Sequence, residues 1–159
     1  MLASFRSRLP AMVETLEQAR RDDELPIVYA NDALGDWRGD RPSFVRSAID
    51  RGLGGDVVTA LEPRPEERFL FKPRYSAFDR TPLALILEES EVERVVLLGA
   101  ATESCVVQTA IDARELGLQA TIVGPACATA DPEVEQVALA YAARVGGVHV
   151  VSSLDDARS

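Results

Sequence analysis

Apolar residues at Phe5, Leu9, Val13, Leu16 and Ala19 recur at the spacing of one helical face, which predicts a first helix. Pro10 is tolerable if the regular helix starts near it. Residues 26–30 (PIVYA) form a short β-rich run that halts at Asn31 and Asp32, and a Gly- and Asp-rich stretch follows through Asp40. That pattern predicts a buried strand and then a polar loop with a functional look. Residues 43–51 can form a short helix and 68–71 a strand. Thr81 and Pro82 then supply an N-cap and a first-turn proline for a helix over 83–90.

The second half is patterned more strongly. Residues 95–100 (VVLLGA) are continuously apolar, as in a strand buried on both faces of a parallel sheet. A helix over 105–116 would present Val106, Val107, Ala110 and Ile111 on one face, and Gly117 closes it. A strand over 119–123 comes next. Asp131 and Pro132 start a helix to about Val145, Gly146 and Gly147 end it, and 148–151 make a last strand before a polar tail. Five strands separated by helices specify an α/β fold: an open, mostly parallel, doubly wound, Rossmann-like sheet with helices on both faces, because parallel neighbours need crossover connections. In such sheets ligands bind beyond the carboxyl ends of the strands. Asn31 and Asp32, Lys72, and the turn from Ala100 to Cys105 therefore project towards one edge.

Composition narrows the reading. At 159 residues with 47% hydrophobic residues, one compact domain with a real core is expected. Seventeen Lys and Arg against 26 Asp and Glu give a formal charge of -9, which repels a phosphate backbone and excludes nucleic acid as partner. The longest apolar run, 95–101, is far short of the about 20 residues that cross a bilayer. The N-terminal 21 residues hold arginines and acids but no apolar core of signal-peptide type, so no membrane partner is expected. Cys105 and Cys127 are the only cysteines, too few for a disulfide framework or a zinc site, and a reducing cytoplasm fits them. His149 is the only histidine and stands in an apolar run, as a structural strand residue. Any mechanism has to proceed without a histidine base, and no cofactor or metal is implied.

Cys105 follows the central strand by one short turn and opens a helix, where backbone N–H groups and the helix dipole favour an anion. A thiolate there, and the oxyanion formed when it attacks a carbonyl, would be stabilised by the same turn. The other reading of Cys105 is a buried helix-start cysteine. Cys127, in GPACATA with no helix start behind it, reads as structural.

The segment GAATESCVVQTAIDARELG, 99–117, resembles the nucleophile segment of the isochorismatase-like cysteine hydrolases, roughly G-x-x-T-x-x-C-V-x-x-T-A-x-x-A-x-x-x-G. FKPRYSAFDRTPL, 71–83, is similar to that family's lysine segment, K-x-x-x-S-A-F-x-x-T-x-L, about thirty residues upstream. The resemblance extends over roughly 10–150. It implies a thiolate nucleophile at Cys105, a lysine at Lys72 that stabilises the thiolate or the transition state, and a cis peptide before Ala101. It also implies an oxyanion hole made by the backbone N–H groups of Ala101 and Cys105, with Thr102 beside them as a substrate-binding candidate. YANDALGDWRGD, 29–40, resembles a bacterial subgroup with Y-x-N-D-x-x-G-x-W-R-x-D. There Asn31, Asp32 and Trp37 would line a substrate pocket, with Trp37 as an aromatic wall; a capped, rigid loop is the other reading. Nicotinamidases carry an Asp and two His metal ligands in the corresponding loop, and this chain has no histidine there.

Family members begin with a strand whose first Asp takes the thiol proton, and that strand is central in the 3-2-1-4-5-6 order. This chain starts after it, so it reads as truncated at its N-terminus relative to the family. Its absence would leave apolar edges on the strands at 26–30 and 95–99. Three accounts follow: a start placed too far downstream, which the intact motifs favour; a genuine short form in which Asp32 or a water replaces the base; or a family member that keeps the fold for binding or assembly. The resemblance as a whole implies hydrolysis of a small amide, ureide or related C–N or ester-like bond through a Cys105 thioester, on a small-molecule substrate, by a homo-oligomer.

Overall fold

The computed structural model describes residues 1–22, 25–33, 40–50 and 54–158, and helices and strands alternate along it. Helix α1 spans Leu2–Arg20 and carries Pro10 in its interior rather than near its start. Met12, Thr15 and Leu16 are its buried residues, so the core-facing side is shifted from the expected stripe towards Met12. Strand β1, Val28–Asp32, pairs in parallel with β2, Arg68–Lys72, from Val28 opposite Arg68 to Asp32 opposite Lys72. Asn31 and Asp32, expected in a loop, are thus the last rungs of a ladder.

Helices α2 (Arg41–Asp50) and α3 (Gly55–Ala60) lie between these strands in sequence, and α4 (Leu83–Glu89) follows them. Strand β3, Arg94–Ala100, leads through a π-helical turn, Thr102–Val106, into α5, Val107–Glu115. Strand β4 spans Gln119–Ala128 and runs through Gly124 and Pro125, which had read as its end; the register against β3 shifts between Leu97 and Gly99, as a bulge allows. Helix α6, Pro132–Arg144, is capped by Asp131, whose Oδ1 accepts from the N–H groups of Glu133 (2.9 Å) and Val134 (3.3 Å). After β5, His149–Val151, the expected polar tail forms a short helix, α7 (Leu154–Arg158), that buries Leu154 and Ala157.

Every strand pairing among the described residues is parallel, and helices pack on both faces of β3 and β4. On one face, α5 and α6 pack over Val95, Leu97, Ala120 and Ile122, and α4 packs over Val28, Ala30, Leu70 and Val95. On the other, Phe5 and Met12 of α1 meet Val96, Leu98, Val123 and Ala128. Hydrogen bonding divides the strands into two sheets, β1-β2 and β3-β4-β5, where one continuous sheet was expected. The division falls between β1 and β3, where the resemblance sets the family's first strand. Side chains bridge it instead: Val28 and Ala30 of β1 and Val95 of β3 share the α4 cluster. Among the described residues no helix is long and apolar enough to cross a membrane.

At the end of the fold away from Lys72, Arg20 ties α1 to the turn before β2. Its Nε and Nη2 donate to the Glu67 carboxylate (2.7 and 2.9 Å), and both side chains are enclosed, at 7% and 6% exposure. Burial pushes Glu67 up, but the bonds from Arg20 and the Arg64 backbone N–H outweigh it and hold the carboxyl below its ordinary value. A lowered folded-state value contributes stability above the ordinary carboxylate range, and that stability is lost as pH falls through the lowered value. Breaking a buried pair from one side costs about 3–5 kcal/mol. Arg20 keeps Glu17 as a second partner (2.8 Å). Glu67→Gln is therefore expected to cost about 2–3 kcal/mol at neutral pH and much less in acid, read by urea denaturation at both pH values.

Candidate active site

Near the end of β3, Gly99 has φ at +126°, a conformation open to glycine and strained for other residues, and the Ala100–Ala101 peptide that closes the strand is cis, the form the resemblance implies. The chain then enters the π-helical turn, in which the Val106 N–H donates to the Ala101 carbonyl (3.1 Å). Cys105 therefore sits inside a widened turn rather than at the first residue of a regular helix, and its side chain is partly exposed. The local cause lies in the sequence: apolar residues 95–100 fill the sheet, Thr102 then finds a partner at the end of β4, and Glu103 finds partners just beyond it.

Lys72, the last residue of β2, is 4% exposed, and each of its three N–H donors has an acceptor. Nζ donates to Asp32 Oδ1, to the Arg74 carbonyl (2.8 Å) and to Cys105 Sγ (3.4 Å). The pairing of β1 with β2 sets Asp32 opposite Lys72, and strand alternation turns both onto the α4 face with Ala30 and Leu70. The ammonium thus stands between a carboxylate and a sulfur drawn from three different elements. Asp32 is about half exposed, at 51%, so the cluster opens to solvent on its side.

Two hydroxyls hold the parts in place. Thr109 Oγ1 donates to the Cys105 carbonyl (2.7 Å) and accepts from the Ala77 N–H (3.0 Å), which fastens the loop after Lys72 to α5. Within that loop the Phe78 N–H donates to Ser76 Oγ (3.2 Å), and Ser76 is buried. On the other side, Glu103 receives the Thr129 hydroxyl (2.7 Å) and the Ala130 N–H (3.0 Å). Glu135 of α6 lies 2.8 Å from Thr102 Oγ1 and 3.1 Å from Arg8 Nη2.

Of the expected site residues, Cys105, Lys72 and Asp32 come together, and Ala101 lies at the start of the same turn. Thr102 is fully buried, and its hydroxyl is engaged with Ala128 O (3.1 Å) and Glu135. That side chain anchors the turn to β4 and α6, and has no surface to offer a substrate. Asn31, one position before Asp32, falls on the opposite side of β1, the side of Tyr29, whose hydroxyl donates to Leu61 O (2.9 Å). Trp37 lies outside the described residues. Thr109, Glu103 and Glu135 were not singled out from the sequence. Thr109 had a signal, four residues after Cys105 within the matched motif; Glu135 had none. Among the described residues no three His, Cys, Asp or Glu side chains converge as a metal site needs.

The two cysteines differ sharply. Cys127 is wholly buried in the α5–α6 core, and burial pushes its thiol up to about 12. Since the thiolate is the reactive form, Cys127 is inert in the folded chain. Iodoacetamide at neutral pH is expected to add once to the native chain, at Cys105, and twice after denaturation, as read by intact mass and peptide mapping.

A sequence model of the isochorismatase domain matches residues 2–155. The isochorismatase family protein YaaI of Bacillus subtilis is 30% identical over 138 residues, covering 87% of this chain and 76% of that protein. A ureidoacrylate amidohydrolase of Pantoea ananatis is 36% identical over 102 residues, which span 64% of this chain but only 41% of the amidohydrolase. Among solved structures, the pyrazinamidase/nicotinamidase of Streptococcus mutans superposes with a TM-score of 0.72 at 26% identity, covering 93% of this chain and 87% of that one.

Proposed function

The chain belongs to the isochorismatase family, and on that premise we propose that it is a cysteine hydrolase cleaving a small amide, ureide or related C–N or ester-like bond through a thioester on Cys105. The observation that carries this is the Lys72 ammonium, buried and in hydrogen-bond contact with both Cys105 Sγ and Asp32. A cation beside sulfur favours the thiolate, which is the attacking species. The amide and ureide class has support from the names of two similar proteins, an amidohydrolase of ureidoacrylate and a nicotinamidase.

The sulfur attacks the carbonyl carbon, and its proton passes to Asp32, the carboxylate on the far side of Lys72. Backbone N–H groups of Ala101 and Cys105 receive the oxyanion, and the proton returns to the leaving nitrogen as the C–N bond breaks. Water then gives a proton to Asp32 and cleaves the thioester, which releases the acid and restores the thiol.

One feature favours a second reading, a family member kept for binding or assembly: β1 and β3 are not hydrogen-bonded to each other, so the elements that bear Asp32 and Cys105 rest on separate sheets. The same experiment separates the two. The purified chain is incubated with a panel of small amides and ureides, ammonia release is followed, and acid-quenched samples are weighed for an acyl adduct on Cys105. Release together with an adduct supports hydrolysis. A folded chain that gives neither with any member of the panel leaves the binding protein standing.

A further inference from the structure

Glu135 of α6 carries a carboxylate that the fold encloses, 7% exposed, and the hydrolysis proposed for Cys105 gives it no part. Enclosing a charge is costly unless partners take it up, and an apolar residue would fill the same space. Its two oxygens are divided. Oε2 accepts from Nη2 of Arg8 on α1 (3.1 Å), whose Nη1 donates to the Gly124 carbonyl (3.2 Å). Oε1 accepts from the Thr102 hydroxyl at 2.8 Å, and the same hydroxyl has the Ala128 carbonyl in reach at 3.1 Å. A hydroxyl has one proton to give, and the carbonyl alone would satisfy it, so packing does not demand the carboxylate. The nearer, charge-assisted contact draws the proton to Oε1 and fixes the rotamer of Thr102.

We propose that Glu135 is a positioning residue: acting through Thr102, it holds the turn that sets Cys105 Sγ against Lys72. It rests on the reading of Cys105 as the nucleophile. The linkage runs atom by atom. Thr102 is fully buried, so holding its side chain holds the Ala101–Thr102 peptide. The carbonyl of that peptide accepts from the N–H groups of Ser104 (3.2 Å) and Val106 (3.1 Å), the residues on either side of Cys105. The turn so formed sets Cys105 Sγ 3.4 Å from Lys72 Nζ. Glu103, next along the turn, is held in a similar way. The Thr129 hydroxyl donates to Glu103 (2.7 Å), and the Thr129 N–H donates to Ser4 Oγ (3.0 Å). Both residues that follow Ala101 are thus tied back to α1, one through Arg8 and the other through Ser4. A mere staple between α1 and α6 would behave differently, because its loss would lower stability and leave the sulfur unaffected.

The rate of Cys105 alkylation by iodoacetamide at neutral pH tests this. It needs no substrate, so it decides the role of Glu135 whether or not the amide and ureide panel gives turnover. Glu135→Leu removes the carboxylate and leaves an apolar side chain in its place. The turn then relaxes, the sulfur draws away from the cation, and the rate is expected to fall about fivefold. Glu135→Gln keeps a hydrogen bond to Thr102 Oγ1 and should stay within about twofold of wild type. Thr102→Val should reproduce the fall. Joined to Glu135→Leu it should slow the rate by no more than about twofold further, because both remove the same contact. Glu67→Gln, which lowers stability at the far end of the fold, should leave the rate as it is. Circular dichroism melts establish that each variant is folded, and Glu135→Met or Thr102→Ala replaces one that is not. The proposal is overturned by a rate that Glu135→Leu leaves unmoved or raises, by a fall that Glu67→Gln matches, by a Glu135→Gln chain as slow as Glu135→Leu, or by effects of Glu135→Leu and Thr102→Val that add in full.

Discussion

Cys105→Ser is expected to lower kcat/KM on any amide or ureide the chain hydrolyses by about 10⁴-fold or more, while the melting temperature stays within about 2 °C of wild type. The asymmetry follows from the site. Cys105 is partly exposed in a turn held by Thr102, Glu103 and Thr109, so exchanging sulfur for oxygen disturbs none of the contacts that fix the fold. Chemically the exchange is severe. A thiol needs only a nearby cation and a modest base to act as a thiolate, whereas a serine hydroxyl needs a strong, well-placed base such as histidine. The only histidine, His149, sits on edge strand β5 opposite Thr121, where it cannot serve the turn after Ala100. Steady-state assays with ammonia detection, run beside a thermal melt, decide the matter. Turnover that survives the substitution would remove the thioester from the mechanism.

How far the sequence could be read depended on how much of each signal was local. The strands at 95–100 and 119–123 and the helix after Asp131 were legible because burial on both faces and an Asp-Pro cap leave marks within a few residues. Strand β1 was misplaced by two residues because its end is set by pairing with Lys72, forty residues away, and not by its own composition. Helices α3 and α7 went unseen because six and five residues are too few to show a period. The π-helical turn was read as the start of a plain helix, since its extra residue shows only when Val106 bonds back to Ala101. In the site, Cys105 and Lys72 were legible as motif positions, and Asp32 as part of a polar cluster after a strand. The Arg8–Glu135–Thr102 chain was not, because its members come from α1, α6 and the π-helical turn, with Arg8 and Glu135 127 positions apart.

Lys72→Met separates what that lysine does for chemistry from what it does for folding. The methionine keeps an unbranched apolar stem of similar length, so the space along β2 stays filled. What disappears is a buried cation with three hydrogen bonds. A buried charge is costly to desolvate, and its loss here strands no enclosed partner: Asp32 is half exposed and regains water, and the Arg74 residue as a whole is exposed. Stability is therefore expected to change by less than about 1 kcal/mol, in either direction, by urea denaturation. Activity should behave otherwise, because in the proposed mechanism the same cation would favour the attacking thiolate and steady charge as the tetrahedral intermediate forms. A fall in kcat of about 10³-fold is expected with KM little changed, the pattern of an interaction made in the transition state rather than in substrate binding. Alkylation of Cys105 at neutral pH should slow as well, by about tenfold or more, which isolates the effect on sulfur from any effect on substrate. Lys72→Arg should not restore the rate: a planar guanidinium cannot reach Asp32, the Arg74 carbonyl and Cys105 Sγ from the tetrahedral position of Nζ. If Lys72→Met left kcat and the alkylation rate unchanged, the lysine would be a strut between the two sheets, and the thiolate would have to draw its stabilisation from the turn alone.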